Sequence, residues 1–256
     1  MNKYLIVIEK SKTGFSSYSP DIPGCIATGR TKKEVEKNLT EWMCTELTYT
    51  SNAIEGNTLT RQETSLVITK GITIAGKSIN EHLEAVNHAK AFEWVVQESQ
   101  VHSPVTESLI KKLHRFILTG IDTDNAGVYR NVPVRISGSS VVMPNYLKIP
   151  ELMKILIENR EKSITQHPVI QAADIHYELV SIHPFIDGNG RSARLLMNYI
   201  LMTHGYPPAL IDPSERITYL NALEEAQLGG SKEAYDLFIQ KTVLKSLDNY
   251  LEFLIS

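Results

Sequence analysis

From residue 79 to residue 254 the apolar side chains recur at helical spacing in seven successive stretches: 79–98, 106–118, 150–160, 170–182, 192–203, 217–226 and 232–254. Apolar residues three and four apart build one stripe per helix, and several such stripes can be hidden only against one another. The body of this chain is therefore expected to be an α-helical bundle. An eighth stretch precedes it. Thr31 stands as a prospective N-cap with Glu34 three positions on, and Val35, Leu39, Trp42, Met43 and Leu47 follow at helical spacing, which predicts a helix from about 32 toward 52.

Two regions break the helical pattern. Residues 128–142 contain Val132-Pro-Val-Arg-Ile, Ser137-Gly-Ser-Ser and Val141-Val-Met, which reads as a short β-hairpin, a flap between helices. The first thirty residues are β-rich around Tyr4-Leu-Ile-Val-Ile and Phe15-Ser-Ser-Tyr-Ser, punctuated by Gly14, Pro20, Pro23, Gly24 and Gly29, and read as a small meander feeding the first helix. With 256 residues and no repeat or long linker, one substantial domain with a small appendage is expected.

Charge narrows the partners. Lys and Arg number 26 against 29 Asp and Glu, a formal net charge of −3, so nothing global draws nucleic acid or an anionic membrane. The apolar runs are too short to span a bilayer, and Met1–Glu9 lacks the apolar core and cleavage site of a signal peptide, so a cytoplasmic protein is expected. Cys25 and Cys44 form no metal-ligand pattern and read as packing residues. Any anion site must be local.

One segment can build such a site. The apolar stripe Ala172, Ile175, Leu179 and Ile182 brings a helix to its end at His183, just before Pro184. Asp187-Gly-Asn-Gly190 follows, with two glycines free to leave backbone N–H groups bare toward an anion, and a helix starting near Arg191 aims its dipole at the same place. Arg191 and Arg194 can add guanidinium forks, Asp187 can ligate a hard cation, and His183 is a base titrating near neutrality. Singly these residues have ordinary readings as turn, cap or solvated charge; their crowding within twelve positions favours one assembled site.

His183 to Arg194 matches the Fic signature His-Pro-Phe-x-Asp/Glu-Gly-Asn-Gly-Arg-x-x-Arg at every fixed position, and the chain from about 46 to 254 is similar to single-domain members of that family. The resemblance implies transfer of AMP from ATP to a Ser, Thr or Tyr hydroxyl of a target protein. His183 would be the base, Asp187 would hold Mg2+ (Mn2+ as the alternative), and Gly188, Asn189, Gly190 and Arg191 would cradle the phosphates. Arg194 would serve the γ-phosphate. The 128–143 flap would clamp the unidentified target by strand addition or, on the plainer reading, only cover the core.

Ser51-Asn-Ala-Ile-Glu55-Gly56-Asn57 is similar to the family's inhibitory pattern, by which Glu55 would pair with Arg194 and hold the enzyme off. The same glutamate could instead serve a hydrolase that removes AMP from the target. A third reading is a partner-binding module with no activity. Homo-oligomerisation is left open. The first 44 residues resemble half of a HicB-type antitoxin, implying a partial β-β-β-α unit ahead of a Fic domain over 45–256, with the inhibitory segment near 47–57.

Overall fold

In the computed structural model the described backbone comprises residues 7–10, 15–18, 27–29 and 32–255, with side chains described over 38–251. Cys25 and the HicB-like residues 1–6, 11–14, 19–26 and 30–31 lie outside the described residues. Among the described residues nine α-helices follow three short strands: α1 Lys32–Ile54, α2 Arg61–Lys70, α3 Ile79–Val101, α4 Glu107–Leu118, α5 Ile149–Lys162, α6 Pro168–Ile182, α7 Asn189–Thr203, α8 Arg216–Gln227 and α9 Glu233–Ile255. The helices stand where the apolar periodicity put them, and α2, whose stripe is weak, is added by a capping box in which Thr60 and Glu63 satisfy each other's backbone N–H groups.

Helix α7 is the axle of the bundle. Ala193, Leu195, Leu196, Met197, Tyr199, Ile200 and Leu201 are all buried, and so are its polar residues Asn189, Arg191, Ser192, Arg194 and Asn198. A helix hidden all round needs neighbours on every side, and α6, α3, α4 and α1 supply them. Each fully buried Leu or Ile contributes about 1.5–3 kcal/mol through the hydrophobic effect. The N-terminus of α7 is thus held rigidly at the surface, where α6 ends and α1 ends.

The expected fold requires correction in its β content. Residues 128–143 contain no strand, so the predicted hairpin flap is not formed. Its turn exists, with Gly138 at φ +78° and Ser139 N donating to the Ile136 carbonyl, but no ladder follows. Pro133 lacks an N–H, the carbonyls of Val132 and Pro144 accept from Arg130, and Ser140 N donates to Glu224 Oε1, so the arms spend their polar groups elsewhere. Nor is a self-contained β-β-β-α unit seen. The strands β1 Val7–Lys10, β2 Phe15–Tyr18 and β3 Ala27–Gly29 form a minimal antiparallel sheet. The helix after them runs unbroken past residue 44 as the first helix of the bundle, packed on α2 and α3.

Candidate active site

His183 terminates α6 in the left-handed conformation, φ +50° and ψ +59°, its N–H donating to the Leu179 carbonyl at 3.0 Å. Few non-glycine residues adopt this conformation, and Pro184 forbids the helix to continue. Burial pushes the His183 pKa below the usual histidine range and Arg130 adds to the depression, while the Val180 backbone and the Glu55 and Asp187 carboxylates oppose it. A neutral imidazole at pH 7 is the form that accepts a proton.

After Phe185 the chain turns through Asp187 and Gly188 into α7. Gly188 has φ +73°, and a Cβ there would approach Ile117 Cγ2 at 3.1 Å and His114 Nε2 at 3.2 Å, so only glycine fits without displacement. Asn189 is buried with its side chain committed to both backbone groups of Phe185, at 3.0 and 2.9 Å, which pins the loop from inside. Any contact it makes with an anion is therefore through its backbone. Asp187 is 62% exposed, accepting from Gly188 N at 2.6 Å and from Arg191 Nη2 at 3.1 Å.

Both arginines are buried and already held by acidic groups. Arg194 donates from Nε to Ser51 Oγ at 3.0 Å and from Nη2 to the Ser51 carbonyl at 2.9 Å and to Glu55 Oε1 at 2.7 Å. Glu55 lies one residue past the end of α1, in a turn closed by its N–H to the Asn52 carbonyl and followed by Gly56 at φ +100°. A Cβ on Gly190 would collide with Glu55 Oε1, so the carboxylate sits on the N-terminal turn of α7, where the helix dipole favours an anion. Arg191 pairs through Nη1 with Glu84 Oε1 at 3.0 Å as well as with Asp187.

Three residues of this site carried no local signal in the sequence. Glu84 on α3 links Arg191 to Asn57, whose amide donates to Glu84 Oε2 at 2.8 Å and to the Glu81 carbonyl at 3.0 Å. His114 on α4 accepts from Gly127 N at 2.8 Å on Nδ1, so Nε2 carries the proton and donates to the Asp187 carbonyl at 2.8 Å. Its ring stacks on Phe185 with centroids 3.6 Å apart, and burial lowers its pKa to about 4. Arg130, 3% exposed, donates from Nε to the His183 carbonyl at 2.8 Å. Arg216 Nε caps α1 by donating to the Ile54 carbonyl at 2.6 Å.

No cluster of three or more His, Cys, Asp or Glu able to hold a metal occurs among the described residues. Asp187 alone, exposed and acceptor-only, fits a magnesium ion whose other ligands are substrate phosphates and water. A recess of about 240 Å³ between α5 and α6, lined by Arg160, Gln171 and Glu178 among others, contains none of the motif residues. At the start of α7 the Glu55 carboxylate lies over Gly190.

A family model described as Fic/DOC matches residues 104–201, which include this loop. A Fic-domain-containing signalling protein from Bacteroides thetaiotaomicron superposes with a TM-score of 0.79 at 30% identity, covering 86% of this chain and 90% of that one. The chain belongs to the Fic/DOC family. Fic-1 of Caenorhabditis elegans superposes with a TM-score of 0.73 at 31% identity, covering 84% of this chain and 69% of the crystallised fragment. The protein adenylyltransferase Fic of Drosophila grimshawi is 38% identical over 205 residues, 79% of this chain and 42% of its own length. This Fic chain thus spans about two fifths of the curated relatives it matches. No helix among its described residues is long and apolar enough to cross a membrane.

Proposed function

We propose that this Fic protein transfers AMP from ATP to a hydroxyl on another protein and that Glu55 holds it off at rest. The observation that carries the reading is the position of the Glu55 carboxylate. It lies on the first turn of α7, over Gly190, and bonds Arg194. An acidic side chain in the place where an anion is best received, pairing the arginine that would receive it, is what a phosphate-mimicking brake requires. The relatives named protein adenylyltransferase support the reaction class.

With Glu55 displaced, the triphosphate would lie along the start of α7. The backbone N–H groups of Asn189 and Gly190, together with Arg194, would take its negative charge, and that of Gly188 would join them if it left the Asp187 carboxylate. Asp187 would hold magnesium, which when bound screens the charge of the α- and β-phosphates. His183, kept neutral by burial, would remove the proton of the incoming hydroxyl as its oxygen forms the bond to the α-phosphorus and pyrophosphate leaves. Catalysis here is positioning plus electrostatics.

Labelling tests this directly. Glu55→Gly protein incubated with ATP, magnesium and a cell lysate should move α-phosphate label onto protein and leave γ-label in pyrophosphate, at a rate about 10²-fold above the wild type, as expected for freeing a charge-assisted bond of about 2–3 kcal/mol. Transfer of γ-label, or equal rates, would reject the reading. Glu55 also acts electrostatically on His183 and its side chain is 39% exposed, which suits a water-activating role in removing AMP from a modified target. Release of AMP from pre-modified protein by the wild type but not by Glu55→Gly would identify that second activity.

A further inference from the structure

Arg130 makes four backbone connections from one buried position. Its guanidinium donates from Nε to the His183 carbonyl at 2.8 Å, from Nη1 to the Val132 carbonyl at 3.0 Å and from Nη2 to the Pro144 carbonyl at 2.7 Å. Its own N–H donates to the Pro184 carbonyl at 2.9 Å. Val132 lies near the start of the segment that failed to form a hairpin, and Pro144 follows its last residue. The segment has no ladder to hold it, yet both of its ends are fixed to the same planar group that holds the backbone of His183.

We propose that Arg130 is a positioning residue that sets the register of the 131–144 segment against His183. A two-stranded ladder would hold such a segment by the inward-facing N–H groups of both arms; here the fixed points are the carbonyls of Val132 and Pro144. Between these two points the turn keeps its own bonds, Ser139 N to the Ile136 carbonyl and Ser140 N to Glu224 Oε1, while Val142 is 87% exposed. A lysine could not hold these points, because a single ammonium cannot span three carbonyls in one plane. The bond to the His183 carbonyl also restrains the left-handed conformation of that residue, which a helix end alone would not force.

Among the described residues the hydrogen-bond partners of the Arg130 guanidinium are carbonyls, not carboxylates, and its positive charge helps depress the His183 pKa. The other charged groups that act on the imidazole are Glu55, from the end of α1, and Asp187, from its own loop. Geometry and charge can therefore be separated by substitution. Arg130→Met keeps the bulk and removes both; Arg130→Lys keeps the charge and loses the fork.

The clamp rests on the geometry, and only what it serves rests on the proposed AMP transfer, so the test avoids any transfer assay. Amide hydrogen exchange in 131–144 is expected to accelerate at least about tenfold in both variants while α7 stays protected. NMR titration of His183 is expected to show its pKa rising in Arg130→Met and staying near the wild-type value in Arg130→Lys. Unchanged exchange in 131–144 in the lysine variant, or a His183 titration that ignores the charge at 130, would overturn the proposal. Should the methionine variant not fold, the lysine variant alone still decides the clamp, because its exchange pattern either loosens in 131–144 or does not.

Discussion

Two arginines hold the two sides of the α7 N-terminus, and they are held in different currencies. Arg194, on the side facing the end of α1, is bonded by Ser51 and by the carboxylate of Glu55. Arg130, on the side facing the 131–144 segment, is bonded among the described residues by carbonyls of the backbone. A carboxylate can be exchanged for a phosphate with little change in the charge the arginine sees. Three carbonyls cannot be exchanged for anything without moving the chain itself. The first contact is thus suited to a switch and the second to a fixture.

Acid should expose the difference with the largest effect. Burial lowers His88 and His176 to about 3 and His114 to about 4, so the folded protein refuses protons that the unfolded chain takes up below 6.5. Stability is then lost as pH falls through the window between 6.5 and those values, by about 1.4 kcal/mol per pH unit for each histidine. His114, which supports Gly127 and Asp187, protonates before His88, which bonds Thr48 on α1. Exchange followed from pH 7 to 4 should show the loop side opening first; simultaneous opening would erase the distinction.

Nucleotide binding comes next in size. Glu55→Gly should tighten ATP binding by about tenfold or more in calorimetry, since the phosphate no longer competes with a carboxylate, whereas Arg130→Lys should leave it unchanged. A comparable gain from both variants would mean that the two arginines are not separate devices. The smallest effect is steric. Gly188→Ala should lower the unfolding free energy by about 1–2 kcal/mol, measured by chemical denaturation, because φ +73° and contacts with Ile117 and His114 leave no room for a Cβ.

What could be read in advance follows from how far apart the cooperating residues lie. His183, Asp187, Gly188 and Arg191 cooperate within one turn and one loop, so their spacing carries the arrangement. Ser51 and Glu55 meet Arg194 across more than a hundred positions, and only a resemblance between whole patterns brought them together. Glu84, His114 and Arg130 had neither advantage. A lone histidine within the apolar stripe of α4 looks like any core residue, and an arginine after Tyr129 looks solvated.

The misread hairpin marks the same boundary from the other side. Val132, Val134, Ile136, Val141 and Val142 have strand propensity, but propensity measures fitness for a pleated surface and cannot supply the partner. The sequence by itself determined the helices, through the period of their apolar stripes, and the chemistry gathered between His183 and Arg194. Only the tertiary structure decided which groups those residues answer to. Hydrogen bonds and ion pairs act over about 3 Å of space, and a linear pattern records distance along the chain instead.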